Sequence, residues 1–126
     1  MVYELEAKVH FSSAHALRGY RGDCERLHGH NFRVLAVVYG EKLDSLGLLI
    51  DFRELKELLG AVVGELDHRD LNALPAFKDK NPSSEVLAEY IFERLSSLLR
   101  EKQGKRVRVK QITVWESEGY GATYRP

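Results

Sequence analysis

The chain has 126 residues, of which 44% are hydrophobic and 30% charged, so it is long enough to bury the core of one compact domain. Its 19 basic and 19 acidic residues cancel at neutral pH, which argues against nucleic acid or an anionic membrane as a partner. A single cysteine excludes an internal disulfide, and no signal-peptide pattern or apolar run of transmembrane length is present, so we expect a cytoplasmic protein.

The N-terminal third is predicted to form two strands joined by a loop. Residues 3–11 alternate apolar and polar side chains, which is typical of a half-buried strand. Residues 30–41, "HNFRVLAVVYGE", are apolar on both alternating sets, which indicates a strand covered on two sides. The sequence "RGYRGD", residues 18–23, is rich in glycine and charge and predicts a loop between them.

Two helices are predicted in the middle of the chain. Apolar residues recur at helical spacing in residues 51–66, where Asp51 and Glu54 have the pattern of a capping box. The second helix follows "NPSSE", where either Asn81 or Ser83 is the expected cap. Its expected apolar stripe consists of Leu87, Ile91, Leu95 and Leu98.

The C-terminal region predicts two further strands. Residues 106–116 change their apolar phase midway, which indicates a bulge near Lys110, and residues 121–126 form a short last strand. The order ββααββ predicts one α+β domain over residues 1–126, with a four-stranded antiparallel sheet and both helices on one face. Such a sheet has two free edges, which favour self-association.

The stretch "CERLHGHNF", residues 24–32, contains a pair of histidines separated by one residue. In an extended chain His28 and His30 project to the same side. With His15, at the end of the first strand, as the best third ligand, they form the kind of three-histidine set that holds a catalytic zinc ion. The alternative is a polar strand start with hydrogen-bonded imidazoles.

The single cysteine, Cys24, has three interpretations. A thiolate is a good zinc ligand, and an activated thiolate is a nucleophile or proton-transferring base. A free cysteine is also commonly a small buried hydrophobe. The charged surroundings, "GDCER", argue against burial and favour chemistry.

Three more side chains are candidate site residues. Asp67 precedes His68 after the first helix, and a carboxylate can orient an imidazole. Adjacent residues do not easily hydrogen-bond through their side chains, however, so a solvated helix end is the alternative. Glu116 lies on the apolar phase of its strand, where a carboxylate needs donors such as the N–H groups of an aminopyrimidinone ring. Exposure at the strand end is its alternative.

Characteristic stretches run the length of the chain in a fixed order: "FSSAH", "CERLHGHNF", "GLLIDFRELK", "LDHRDLN", "NPSSEVLAEYIFERL", and "VWES" with "YRP". Taken together, these stretches resemble the 6-pyruvoyl-tetrahydropterin synthase family, and in particular its 6-carboxy-tetrahydropterin synthase branch. The resemblance implies a T-fold subunit that forms homotrimers, usually paired into hexamers, with active sites between subunits.

The same resemblance implies roles for the candidate residues. Cys24 transfers protons, and Asp67 with His68 forms the relay, contributed by a different subunit. The implied zinc ligands are His15, His28 and His30.

For the substrate, the resemblance implies a pterin held by Glu116 and contacted by Ser84. The implied reaction converts 7,8-dihydroneopterin triphosphate to 6-carboxy-5,6,7,8-tetrahydropterin, with loss of triphosphate and acetaldehyde, for queuosine-type deazapurine synthesis. Several basic residues are candidates for binding the triphosphate, and the sequence does not rank them: Arg18, Arg21, Arg26, Lys78 and Lys80.

Glu25 adds a second signature. Some family members carry "ExxHGH" in place of the cysteine motif and act as aldolases, giving 6-hydroxymethyl-dihydropterin for folate. Read from Glu25, this sequence also contains "ExxHGH", so a secondary aldolase activity is an alternative, as is 6-pyruvoyl-tetrahydropterin synthesis. A solvated loop position is the plain interpretation of Glu25. A non-catalytic pterin-binding domain is less favoured, because a binder would not need Cys24, Asp67 and His68.

Overall fold

The computed structural model describes residues 1–20, 22 and 25–126. Its order of strands and long helices is ββααββ, as predicted, and two short 3-10 turns lie between the helices. The elements are β1 (Tyr3–His15), β2 (His28–Gly40), α1 (Phe52–Gly64), α2 (Ser84–Gln103), β3 (Arg108–Ser117) and β4 (Tyr120–Tyr124), with the 3-10 turns at Leu71–Ala73 and Pro75–Phe77.

The four strands form one antiparallel sheet in the order β1-β2-β3-β4. β1 and β2 pair along their whole length, from Tyr3 opposite Gly40 to His15 opposite His28. Between β2 and β3 the register shifts, since Val37 pairs with Gln111 and Val38 with Val109. Lys110 is therefore the extra residue, which confirms the predicted bulge.

The helix starts show which predicted caps form. Asp51 caps α1 by accepting a hydrogen bond from the Arg53 N–H at 2.8 Å. Glu54 does not complete a capping box, because its carboxylate accepts from Gln103 Nε2 at 3.2 Å instead. For α2 the cap is Ser83.

Asn81, the alternative predicted cap of α2, forms hydrogen bonds with a loop instead of capping the helix. Asn81 exchanges two hydrogen bonds with the backbone of Arg18, at 2.8 and 3.0 Å. It thereby joins the loop after β1 to the segment that leads into α2.

The hydrophobic core lies between the helices and one face of the sheet. In α2 the predicted stripe is correct except at its end, where Leu99 is buried and Leu98 is only half-buried. The prediction that β2 is covered on two sides is only partly right, because Asn31 and Arg33 on its other face are exposed. No helix within residues 1–20, 22 and 25–126 has the length and apolar character needed to cross a bilayer.

Candidate active site

The register of β1 and β2 brings three histidines to one end of the sheet. His15 lies directly opposite His28, and His30 lies opposite Ser13 on the same face. Glu116 joins them from β3. Each of the four residues offers one ligand atom, and these atoms all lie within 4.8 Å of one another. Such a group has the size and donor types of a transition-metal site.

An aromatic pair forms the floor under these imidazoles. Phe11 and Phe32 stack with ring centroids 4.9 Å apart, and both are buried. The His15 and His30 rings stand edge-on to Phe32, at 5.4 and 5.5 Å. The polar cluster thus continues the core face of the sheet, which keeps the imidazoles apart from bulk water on that side.

Backbone carbonyls orient two of the imidazoles. His15 Nδ1 lies 2.7 Å from the Pro82 carbonyl, and His28 Nδ1 lies 2.7 Å from the Arg26 carbonyl. A carbonyl oxygen only accepts, so each Nδ1 must donate its N–H. A ring that carries its proton on Nδ1 presents the lone pair of Nε2 to the cluster, which is the usual arrangement for a metal-binding histidine.

The fit of a metal ion can be tested on His15, which is only 1% exposed. Its Nε2 is buried and has no hydrogen-bond partner among the described residues. Glu116 Oε1 lies 3.2 Å away, but the geometry of that contact is not that of a hydrogen bond. Since a buried polar atom without a partner is costly, a metal ion at the centre of the cluster would satisfy it. The residues present fit a metal ion.

The protonation of His30 also suits ligation. Burial lowers its pKa, the carboxylate of Glu116 opposes this, and the imidazoles of His15 and His28 lower it further. A lowered pKa keeps the ring neutral at neutral pH, and only neutral imidazole binds a metal ion.

A turn after α1 carries the second part of the site. Asp67 Oδ2 lies 3.0 Å from His68 Nδ1, so the expectation that these adjacent side chains would not meet is wrong. The reason is the backbone of His68, whose φ of 55° is left-handed. The Ser12 N–H donates a hydrogen bond to Asp67 Oδ1 at 2.9 Å. This hydrogen bond is the largest cause of the lowered pKa of Asp67, and the contact with His68 is the next largest.

This turn is attached to the outer edge of β1. The His68 N–H donates to the Ser12 carbonyl at 2.6 Å, and the Ala14 N–H donates to the Arg69 carbonyl at 2.9 Å. The buried Ser13 hydroxyl donates to the Leu66 carbonyl and accepts from the Arg69 N–H.

Sequence reasoning missed Ser13 and the carbonyl of Pro82. Ser13 shares the phase of Phe11 and His15 on β1, and a hydroxyl on a buried phase is a signal that could have identified it. Nothing in the sequence pattern marks a backbone carbonyl such as that of Pro82.

The two parts of the site open into one groove. His30 and His68 both line a groove of about 460 Å³, together with Ser12, Asn31 and Arg69. His68 is 82% exposed in its side chain, so its imidazole is free to meet a molecule in this groove. His30 is the member of the metal-binding group that lines this groove.

The structure describes only some of the other predicted site residues. Cys24 lies outside the described residues, as does Arg21 among the triphosphate candidates. Glu25 is exposed in the loop before β2, and Ser84 is the first residue of α2. The guanidinium of Arg18 donates to three backbone carbonyls, which occupies it in loop structure: those of Phe77, Lys80 and Asn72.

Comparisons with known proteins agree with this architecture. The sequence pattern of the 6-pyruvoyl tetrahydropterin synthase family matches residues 4–126. A 6-carboxy-5,6,7,8-tetrahydropterin synthase of Bacillus subtilis is 35% identical, over 98% of this chain and 86% of its own. A dihydroneopterin monophosphate aldolase of Pyrococcus furiosus is 36% identical, over 90% of each chain.

Solved structures are similar over the whole chain. The 6-pyruvoyl tetrahydropterin synthase of Caenorhabditis elegans matches with a TM-score of 0.88 at 27% identity, covering 100% of this chain and 96% of that one. A Plasmodium vivax 6-pyruvoyltetrahydropterin synthase, in which a catalytic glutamate is replaced by alanine, matches with a TM-score of 0.78 at 26% identity, covering 100% and 98%. These likenesses confirm the predicted T-fold.

Proposed function

The chain belongs to the 6-pyruvoyl tetrahydropterin synthase family, and we propose that it is a zinc-dependent lyase of that family acting on 7,8-dihydroneopterin triphosphate. The product is 6-carboxy-5,6,7,8-tetrahydropterin, formed with loss of triphosphate and acetaldehyde, and it serves queuosine-type deazapurine synthesis. The single domain of residues 1–126 carries the reaction.

One observation carries this proposal. The metal-binding group of His15, His28, His30 and Glu116 lies at the end of the sheet to which the Asp67–His68 turn is attached, and one of its members, His30, lines the same groove as His68. A protein that only bound a pterin would need no ionised carboxylate fixing an exposed imidazole beside its metal ligands. The 35% identity to a 6-carboxy-5,6,7,8-tetrahydropterin synthase supports the choice of product.

The three histidines are proposed to hold the zinc ion. Bound there, zinc would supply Lewis-acid chemistry, lowering the pKa of substrate hydroxyl groups. Three protein ligands leave the fourth position to substrate, as in catalytic zinc sites. Glu116, with a third of its side chain exposed, is proposed to accept the N–H groups of the pterin ring rather than to serve as a permanent ligand.

Proton transfer is assigned to the side chains around the groove. Asp67 is held ionised by the Ser12 N–H and fixes the Nδ1 side of His68, which leaves Nε2 to exchange a proton with the substrate. Cys24, four residues before His28 in the sequence, is proposed as the opposing base, because a thiolate is a competent proton acceptor. Ser84 is proposed as a further substrate contact.

The substrate experiment compares three pterins with zinc-loaded protein. Dihydroneopterin triphosphate, dihydroneopterin monophosphate and dihydroneopterin are incubated separately, and products are identified by mass spectrometry. We expect 6-carboxytetrahydropterin and acetaldehyde from the triphosphate alone. Absence of turnover with all three would reject the proposal.

Two variants test the assigned roles. Cys24→Ala should lose activity and keep zinc, and a parallel loss of zinc would identify Cys24 as a ligand. Glu116→Gln should keep zinc and bind pterin more weakly, because the amide replaces one acceptor oxygen with a donor. Zinc loss in Glu116→Gln would move that residue to the ligand set.

A second candidate is an aldolase activity that gives 6-hydroxymethyl-dihydropterin. Two observations favour it: Glu25 is exposed three residues before His28, and the Pyrococcus furiosus relative is named a dihydroneopterin monophosphate aldolase. A hydroxymethyl product from the monophosphate, lost in Glu25→Gln and retained in Cys24→Ala, would establish it.

The functional unit is proposed to be a homotrimer or hexamer with sites between subunits. The turn of residues 68–70 covers the end of β1 at Ser12–Ala14, but residues 3–11 have no second strand partner within the described chain. Such an edge invites pairing with the edge of β4 from a neighbouring copy. Light scattering coupled to size-exclusion chromatography tests this, and a monomer would contradict it.

A further inference from the structure

The charge of this neutral chain is concentrated at one place. Residues 100–110 contain six basic side chains and a single acidic one, Glu101. This segment covers the end of α2, the turn after it and the start of β3. The rest of the chain is correspondingly acidic, so the segment forms a local positive potential that the net charge conceals.

Three of these cations surround a groove of about 560 Å³. Arg100, Lys105 and Arg108 line it, and the one anionic group among its other lining residues is the terminal carboxylate of Pro126. All three cations are exposed, and none forms an ion pair or a side-chain hydrogen bond within residues 1–20, 22 and 25–126. Three cations and one carboxylate leave the groove with a net positive charge, and an anion between the cations would relieve their mutual repulsion.

The groove also offers neutral donors and aromatic surface. Phe92, Ser96 and Arg100 are spaced four residues apart on one face of α2. Across the groove, Tyr39 pairs with Arg108 in the sheet. Two hydroxyl groups and two aromatic rings therefore accompany the cations, which is the composition of a small-molecule site.

Backbone features fix the turn that carries Lys105. Gly104 has a φ of 61°, in the left-handed region. At Gly40 a Cβ atom would come within 2.4 Å of the Arg106 carbonyl oxygen, so glycine permits this close approach of the turn to the end of β2. Arg106 then donates to the Lys42 carbonyl at 3.1 Å and to Gln103 Oε1 at 2.8 Å, which ties the turn in place.

The groove is separate from the candidate active site. Tyr39 lies eleven residues after His28 on the same strand, which corresponds to roughly 35 Å at about 3.3 Å per residue. A ligand in the groove therefore cannot be part of the substrate bound at the histidines.

We propose that this groove is a second binding site, for a small phosphate-bearing anion held by Arg100, Lys105 and Arg108. Guanidinium groups bind phosphate oxygens in a bidentate manner, and the ammonium group adds a third charged donor. A phosphomonoester or diphosphate supplies two or more negative charges, which matches the net positive charge of three cations and one terminal carboxylate. The aromatic rings would contact an organic group attached to the phosphate.

The experiment uses inorganic diphosphate as the probe and titration calorimetry on the full chain. Zinc is first removed with a chelator, which is then dialysed away, and the buffer contains 150 mM NaCl. Arg100→Gln and Arg108→Gln should each weaken diphosphate binding about tenfold. The matched control is Lys102→Gln, an exposed cation in the last turn of α2 that does not line the groove, and it should change affinity less than twofold.

Two further arms separate this site from others. His28→Ala should bind diphosphate as well as the wild type, and protection from hydrogen exchange on binding should fall within residues 96–109. Equal weakening by Lys102→Gln and Arg100→Gln would mean diffuse attraction and would overturn the proposal. So would unchanged binding in Arg100→Gln and Arg108→Gln, or binding of single-stranded RNA by a wild-type protein that does not bind diphosphate.

Discussion

The two ends of strand β2 present polar groups in different ways. At the His28 end, imidazoles and a carboxylate lie on the core face of the sheet, and register and backbone carbonyls fix their positions. At the Gly40 end the cations of α2, the following turn and β3 are exposed, and the tight turn fixes only the backbone that carries Lys105. A buried polar group without a partner is costly, so the His28 end requires a ligand that satisfies its imidazoles. The cations at the Gly40 end are exposed, and their positive potential only attracts an anion.

The largest effect should come from removing an imidazole at the first end. His28→Ala is expected to weaken zinc binding by at least about 100-fold, since loss of even an outer partner of a ligand costs 10–100-fold. The control, His10→Ala, lies exposed on the sheet and should keep full zinc. Zinc content is measured by mass spectrometry of the metal after dialysis, and equal content in both variants would remove the histidine cluster as the metal site.

The next effect concerns the turn beside the cluster. Asp67→Asn should lower kcat about 100-fold without changing zinc content, because the amide neither fixes His68 as well nor stabilises its charged form. Asp70→Asn is the matched control, since Asp70 caps the following 3-10 turn and asparagine can do the same. Steady-state kinetics compare the two, and a loss of zinc in Asp67→Asn would contradict the assigned role.

A smaller effect is expected from removing the Ser13 hydroxyl, which attaches the Asp67–His68 turn to β1. Ser13→Ala should cost about 1–3 kcal/mol of unfolding free energy, because the buried Leu66 carbonyl and Arg69 N–H lose their shared partner. Ser12→Ala, whose hydroxyl contacts the exposed Asn31 at 2.6 Å, should cost less than about 1 kcal/mol. Urea unfolding measures both, and equal costs would show that burial of Ser13 is unimportant.

The smallest effect is electrostatic. The guanidinium of Arg94, followed by the Tyr90 hydroxyl, lowers the pKa of Glu65 against the opposing effect of burial. Because the folded pKa lies below the ordinary value of 4.5, this stabilisation is present above that pH and is lost as the pH falls through the folded pKa. More than a third of each side chain is exposed, which limits the effect to less than about 1 kcal/mol.

Urea unfolding of Glu65→Gln between pH 7 and about pH 3 tests this. The variant should be less stable than wild type at pH 7, and the difference should vanish at the acidic end. Glu57→Gln, an exposed position on α1, should follow the wild type throughout. A difference that persists at low pH would mean that Glu65 acts by packing rather than by charge.

Much of the fold could be predicted from local pattern. Alternation over residues 3–11, helical spacing over 51–66 and the phase change at Lys110 are properties of consecutive residues, and the structure has the elements they indicate. The errors lie where one part of the chain meets another. Glu54 has the spacing of a capping box, yet Gln103 from α2 competes for its carboxylate.

The site divides in the same way. The spacing of His28 and His30 on one strand follows from the two-residue repeat of extended chain, so the sequence determined that both imidazoles face one side. Only the tertiary structure decided that His15 lies opposite His28, that Glu116 reaches both His15 and His30, and that the Pro82 carbonyl orients His15. It also decided that Asp67 meets its neighbour, since the left-handed backbone of His68 is held by hydrogen bonds to β1. These contacts join residues far apart in the chain, and their energies depend on distances that no local pattern contains.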